Sequence, residues 1–214
     1  MSNTTAPWIC TLRHDIALTG DLSGNPVDIA DIANALARIN RFTGHTYANW
    51  SVAQHSMLVV ALAMRNQDGL TPIQARALLL HDAHEAYTGD IASPIKLALG
   101  DTWANFEQAH ANHVRRALGV DAALNAHKHL VKNYDIEALR VERYRLLGRQ
   151  AHRKPWPILE GNAALWTEPA AGDLDEMLHI QTSTNTRKGA TEAFLQMYHQ
   201  ITADALNAAT TASA

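Results

Sequence analysis

The chain has 214 residues, with 18 Lys and Arg against 21 Asp and Glu, and a formal net charge of -3. This length suits a single domain with a full hydrophobic core, and the weak negative charge disfavours broad binding to nucleic-acid polymers or membrane surfaces. The single cysteine, Cys10, excludes an intramolecular disulfide and a cysteine-based zinc site, and it fits a reducing compartment. No apolar run approaches a membrane span and no secretory signal precedes the first element, so we expect a cytoplasmic protein.

The first 27 residues predict an N-terminal arm. Two short β-prone pieces, residues 8–12 and 15–18, stand among glycines and a proline. This pattern favours an irregular arm or a small hairpin, with its turn near Gly24-Asn25.

Helical periodicity begins after Asp28, which can cap a first helix. After a loop over residues 41–49, Asn49 or Ser51 can cap a second helix that extends to about residue 65. Thr71 and Pro72 then open a third helix, in the preferred order of cap and proline, which we expect to continue to residue 87.

The rest of the chain is also predicted to be helical, with one long interruption. The helices are expected from residue 94, over 101–119, over 121–148 as the longest, and from about 186 to 206. Prolines and glycines over 154–175 predict a surface excursion, in which Trp156 and Trp166 pack onto the core or line a pocket. We therefore predict an all-α protein with an arm (1–27), one helical domain (28–206) and a disordered tail (207–214).

The pair His81-Asp82 closes an apolar helical run and is the strongest chemical signal in the chain. Burying an ionised carboxylate is costly unless it is paired or bound to a metal. A divalent cation with mixed nitrogen and oxygen ligands would compensate for that cost. Two residues in other predicted helices, His55 and Asp135, offer further ligands of the same types. The pattern indicates metal-assisted hydrolysis.

The set His55, His81-Asp82 and Asp135 resembles the H…HD…D signature of the HD-domain metal-dependent phosphohydrolases. The stretch HDAHEAYTGDIASPIK is similar to the HDxxExxTGDxxxPxK segment of the bacterial deoxynucleoside 5′-monophosphatase branch and of related phage and prophage hydrolases. Arg41-Phe42, 14 residues before His55, resembles the Arg-aromatic pair of that branch, although the aromatic there is often Trp. The resemblance covers roughly residues 28–140.

The resemblance implies an HD-type helical bundle and a role for each matched residue. It gives the metal ligands as His55, His81, Asp82 and Asp135; the catalytic residues as Glu85 and Asp90; and the substrate-binding residues as Arg41, Phe42, Thr88 and Lys96. Nitrogen with carboxylate ligands favours one divalent transition metal, Co, Mn, Zn, Fe or Ni, over magnesium. The resemblance also suggests a small nucleotide as the partner and a homodimer as the assembly.

The leading functional hypothesis is a 5′-nucleotidase that releases phosphate from deoxyribonucleoside monophosphates. One alternative is a deoxynucleoside triphosphate triphosphohydrolase of the phage dATPase type. Another is a catalytically silent HD-like module that binds nucleotide, which is disfavoured because all four ligands and Glu85 are present. A hydrolase of (p)ppGpp or cyclic dinucleotides would leave the segment TGDIASPIK unexplained.

Other candidate residues have weaker support from the sequence. His84 adjoins the motif but is expected to share the face of His81 less well than Glu85 does. His110 and His113 have a ligand spacing without a carboxylate pattern, and His127 and His129 cannot share a helix face. The basic cluster over residues 143–154 is expected to be a solvated helix end, with a polyphosphate site as the alternative.

Overall fold

A computed structural model describes residues 6–147, 156 and 168–212. Over these residues the protein is all-α, apart from an antiparallel hairpin of β1 (Trp8–Cys10) and β2 (Asp15–Ala17) in which Ile9 lies opposite Ile16. This confirms the predicted fold class with its small N-terminal hairpin. The predicted turn was wrong, because residues 11–14 connect the strands and Gly24 ends a separate 3-10 turn, Leu22–Gly24.

The helices of the described residues follow the arm in chain order. They are α1 (Ile29–Leu36), α2 (Val52–Asn66), α3 (Pro72–Leu80), α4 (Glu85–Thr88), α5 (Ser93–Leu99), α6 (Asp101–Ala117), α7 (Asp121–Ala126), α8 (Lys128–Leu147), α9 (Ala171–Ser183) and α10 (Arg187–Ala212). None of them combines the length and the apolar character that a membrane span requires.

Three predicted helix starts are confirmed by their caps. The Asp28 carboxylate accepts a hydrogen bond from the backbone N–H of Ala30 at the start of α1. Ser51 and Thr71 each form a capping box with a glutamine three residues later, at the starts of α2 and α3. Such reciprocal bonds satisfy backbone donors that the first helical turn leaves open, so these boundaries are encoded locally.

Helix α2 is the centre of the bundle, and α3, α8, α9 and α10 pack around it. Eleven of its 15 residues are buried, and they occupy every face of the helix. A helix that is buried all round can place a polar side chain only where other elements supply partners. The environment of His55, which lies on α2 and has no exposed surface, is therefore decided by the surrounding helices.

The predicted extents of the third helix and of the longest helix were wrong. The third helix ends at Leu80, and a turn over residues 81–84 separates it from α4. The longest predicted helix is broken at His127, whose φ and ψ of -112° and 22° leave the helical region, so α10 is the longest described helix.

The chain after residue 168 is more helical than predicted. Helix α9 begins inside the predicted surface excursion, and α10 continues through Ala212, which makes residues 207–212 helical and not a disordered tail. The alanines of this segment favour a helix, which explains the difference. Trp166 and the basic residues beyond Leu147 that were part of the predicted cluster lie outside the described residues.

Leu78→Ala should lower the free energy of unfolding by about 2–5 kcal/mol, because Leu78 has no exposed surface and the truncation leaves a cavity between packed helices. Leu97→Ala is the matched control: that side chain is 84% exposed, and its loss should change stability by about 0.5 kcal/mol or less. Urea denaturation measures both values. Equal effects of the two changes would contradict the described core.

Candidate metal centre

Four predicted ligands from three helical segments lie close together, with His55, His81 and Asp82 as the tight group and Asp135 next to His55. His55 projects from α2, His81 and Asp82 follow α3 directly, and Asp135 lies on α8. The His81 Nε2 atom lies 3.1 Å from Asp82 Oδ2, and the His55 Nε2 atom lies 3.7 Å from the same oxygen. The His55 Nε2 atom also lies 3.5 Å from Asp135 Oδ1. The structure thus brings together the residues that the sequence pattern grouped.

The geometry of this cluster fits a divalent cation. Ligand atoms that each lie about 2.1 Å from one ion are separated from one another by about 3.0–3.6 Å. The three separations of 3.1, 3.5 and 3.7 Å lie in or next to that range. The Nε2 atoms of His55 and His81 are buried and have no hydrogen-bond partner among the described residues. These two unsatisfied imidazole nitrogens and the carboxylate of Asp82 could hold a metal ion.

The other nitrogen of each imidazole is held by a hydrogen bond. His81 Nδ1 lies 2.7 Å from the carbonyl oxygen of Leu78, which can only accept, so this nitrogen carries the proton. His55 Nδ1 lies 2.7 Å from the carboxylate of Glu142 and donates to it in the same way. Both rings therefore turn Nε2 toward the carboxylates, which is the orientation that metal-binding histidines use.

Glu142 is a functional residue that the sequence analysis missed. Its side chain has no exposed surface, and its Oε1 accepts hydrogen bonds from Trp50 Nε1 and His55 Nδ1, both at 2.7 Å. Its Oε2 accepts from Arg41 Nε at 3.1 Å. The one local signal was its position seven residues after Asp135, two turns further along the same face of a helix.

The metal-free cluster carries shifted pKa values. Burial and the guanidinium of Arg41 lower the pKa of His55, but Glu142 and Asp135 outweigh them and raise it to about 9. Burial raises the pKa of Asp82, yet the imidazoles of His81 and His55 hold it well below its usual range. A metal ion would displace the proton from His55, because it binds the neutral imidazole.

Glu85 and Asp90 lie beside the ligand cluster. Burial, together with the charges of Asp82 and Asp90, raises the pKa of Glu85 to about 10, although Arg41 and Lys96 act in the opposite direction. Burial also raises the pKa of Asp90, against the charge of Arg41. Strongly shifted carboxyl groups next to a candidate metal centre are typical of acid–base sites.

The predicted substrate-binding residues occupy different surroundings. Arg41 donates from Nε to Glu142, and this is its one side-chain hydrogen bond within the described residues, so its terminal NH2 groups have no described hydrogen-bond partner. Phe42 lies beside it, with the guanidinium 5.6 Å from the ring centre. Lys96 binds Glu107 at 2.6 Å, and the Thr88 hydroxyl approaches backbone oxygens of His84 and Gly89 at 3.4 Å. Within the described residues, the Thr88 hydroxyl has no hydrogen bond to the ligand cluster.

A second group of ligand-type side chains lies next to the first. His84, Glu85 and Glu107 bring ligand atoms within 4.8 Å of one another. Glu107, on α6, was missed because nothing in the sequence relates it to Glu85, which lies 22 residues upstream. His110 and His113 on the same helix donate to the carbonyl oxygens of Leu18 and Asn25, at 3.1 and 3.0 Å, and so hold the N-terminal arm.

Trp156 packs back onto the helical domain. Its ring centre lies 6.0 Å from that of Phe42 and 4.4 Å from the guanidinium carbon of Arg143. Arg143, predicted to belong to a solvated helix end, is 8% exposed, and Trp156 covers it. That part of the predicted solvated cluster was wrong, because the aromatic ring shields the cation.

Glu142→Gln should weaken metal binding by about 10–100-fold, the usual effect of removing a partner of a metal-binding imidazole. The amide still accepts one hydrogen bond, but it leaves the buried Arg41 without its counter-charge. Competition with a chelator measures the dissociation constant. Glu137→Gln, a half-buried position on the same helix, is the control. If both variants bind metal as the parent protein does, Glu142 does not support the centre.

No family model matches the chain. It is 34% identical over 152 residues to an uncharacterized protein of Rhodobacter capsulatus, RCAP_rcc00048, an alignment that covers 67% of this chain and 78% of the relative. It is also 34% identical over 140 residues to the uncharacterized protein YfdR of Escherichia coli K12, covering 65% of this chain and 71% of the relative. The chain therefore belongs to the family of these two bacterial proteins.

Proposed function

We propose that the protein is an HD-type, metal-dependent phosphohydrolase that releases phosphate from deoxyribonucleoside 5′-monophosphates. The observation that carries the proposal is the pair of bare, buried Nε2 atoms of His55 and His81 beside the carboxylates of Asp82 and Asp135. A divalent transition metal bound there would supply Lewis-acid activation of water and of a phosphate oxygen. The H…HD…D pattern and the segment HDAHEAYTGDIASPIK support the same chemistry.

In this proposal Arg41 binds the phosphate. Burial lowers the pKa of its guanidinium, but Glu142, Asp90 and the other nearby carboxylates more than offset this, so it stays charged. The Nε bond to Glu142 fixes the plane of the group, and no hydrogen bond from its terminal NH2 groups is described. A fixed, planar guanidinium is well suited to bind two phosphate oxygens at once.

Glu85 is proposed as the group that moves a proton. Its Oε2 atom is buried and has no hydrogen-bond partner among the described residues, so it is available to a water molecule or a leaving oxygen. With its pKa raised to about 10, the carboxyl holds a proton at neutral pH in the metal-free protein. A cation beside Asp82 would lower that pKa and bring it toward the range in which a carboxyl group both accepts and releases a proton.

Glu85→Ala should lower kcat by about 10²–10⁴-fold while the metal stays bound, because a positioned acid or base acts on turnover. Asp135→Ala is the comparison: it removes a ligand next to His55 and should lower metal content and activity together. Metal analysis and steady-state kinetics on the same preparations separate the two roles. Loss of metal from the Glu85 variant, or full metal content in the Asp135 variant, would reverse these assignments.

Deoxyribonucleotides should be preferred to ribonucleotides by about ten- to hundredfold in kcat/KM. We place the Phe42 ring against the sugar, where a ribose 2′-hydroxyl would lose water and gain no partner, at a cost of about 1–3 kcal/mol. Rates with dAMP, AMP, dATP and ATP on one metal-loaded preparation measure sugar choice and phosphate number together. Equal ribo and deoxy rates would remove Phe42 as a sugar gate, and triphosphate release from dATP alone would establish the triphosphohydrolase instead.

A further inference from the structure

The second ligand-type group, His84, Glu85 and Glu107, already holds a cationic side chain. The Lys96 ammonium lies 2.6 Å from Glu107 Oε1 and 3.9 Å from Glu85 Oε1. The His84 Nε2 atom lies 3.7 Å from the same Glu107 oxygen. An imidazole and a carboxylate from the start of α4 therefore lie with a carboxylate of α6 near a single positive charge.

This group has the features of a metal site and not of an ordinary surface ion pair. The side chains of His84 and Glu85 are 8% and 4% exposed, and Glu107 is 20% exposed. The buried Glu85 Oε2 atom has no hydrogen-bond partner among the described residues, and His84 turns its Nε2 atom toward Glu107. The ammonium lies within hydrogen-bond distance of Glu107 but not of Glu85, whereas a divalent cation with four or more coordination positions can bind all three side chains.

We propose that His84, Glu85 and Glu107 form a second cation site, and that the Lys96 ammonium occupies it in place of a divalent metal ion. The chain thereby supplies its own positive charge beside the first metal centre. Because Lys96 projects from α5 (Ser93–Leu99), this charge is covalently fixed and does not depend on the metal supply. The proposal rests on the proposed function only through the first metal centre, and it does not require that the substrate be a nucleotide.

The electrostatics around Lys96 agree with this assignment. Burial lowers the pKa of Lys96, but the hydrogen bond and charge of Glu107, together with Glu85 and Asp82, raise it, so the ammonium keeps its proton. Burial also raises the pKa of Glu107, while His84 and Lys96 outweigh it and keep the carboxylate ionised. If the ammonium is removed, the negative charge that remains favours another cation at the same place.

The test counts metal ions bound per chain. Metal-free parent protein and the Lys96→Ala variant are equilibrated with Zn²⁺, dialysed and analysed by mass spectrometry of the metal. The parent should hold one ion, in the His55–His81 centre, and Lys96→Ala should hold two. Lys96→Arg keeps the charge and Lys96→Met fills the space, so each should hold one. The double change Lys96→Ala with Glu107→Gln should return the count to one, because it removes a ligand.

Each result decides one proposal. A parent chain without metal would overturn the first centre, and an ion gained on Lys96→Ala would still support the second site. A Lys96→Ala protein with the parent's metal count, or with fewer ions, would overturn the second site, as would a parent that already holds two. If the double variant still holds a second ion, that ion binds elsewhere in the protein. Lys96→Ser replaces Lys96→Ala if circular dichroism shows that the alanine variant is not folded.

Discussion

Glu142 places a carboxylate in a part of the domain with no solvent access, and Arg41, Trp50 and His55 all donate to it. An ion buried this way costs several kcal/mol unless its lone pairs are satisfied by well-placed donors. The three donors come from the loop before α2 and from α2 itself, so the network joins this loop and two helices. It also fixes the ring of His55, one of the candidate metal ligands.

The backbone before α2 is held in an uncommon conformation beside this network. Phe42 and Thr43 have φ values of 56° and 55°, in a region that residues with side chains seldom adopt. Backbone bonds from Arg41 to Trp50 and from Val52 to Ile39 tie both ends of the loop together. Such strain costs about 1–3 kcal/mol per residue and persists where the surroundings over-determine it, which is typical of binding sites.

Negative charge exceeds positive charge around the candidate metal centre. The charge of Asp82 raises the pKa values of Glu85 and Asp90, while Arg41 and Lys96 lower them. In the metal-free protein part of this excess is neutralised by protons, on Glu85 and on His55. A divalent cation would take over that role, so metal binding and proton release are linked. The candidate site is in this sense incomplete without added positive charge.

Local sequence determined what depends on near neighbours. The caps at Asp28, Ser51 and Thr71 specify helix starts, because each bonds within its own first turn, and the spacing of His55 and His81-Asp82 indicated a metal centre. Tertiary structure alone decided which distant residues complete the site. Glu142 reaches His55 across 87 positions and Glu107 reaches Lys96 from another helix. Neither contact is encoded within one segment, because the first depends on how α8 packs against α2 and the second on how α6 packs against α5.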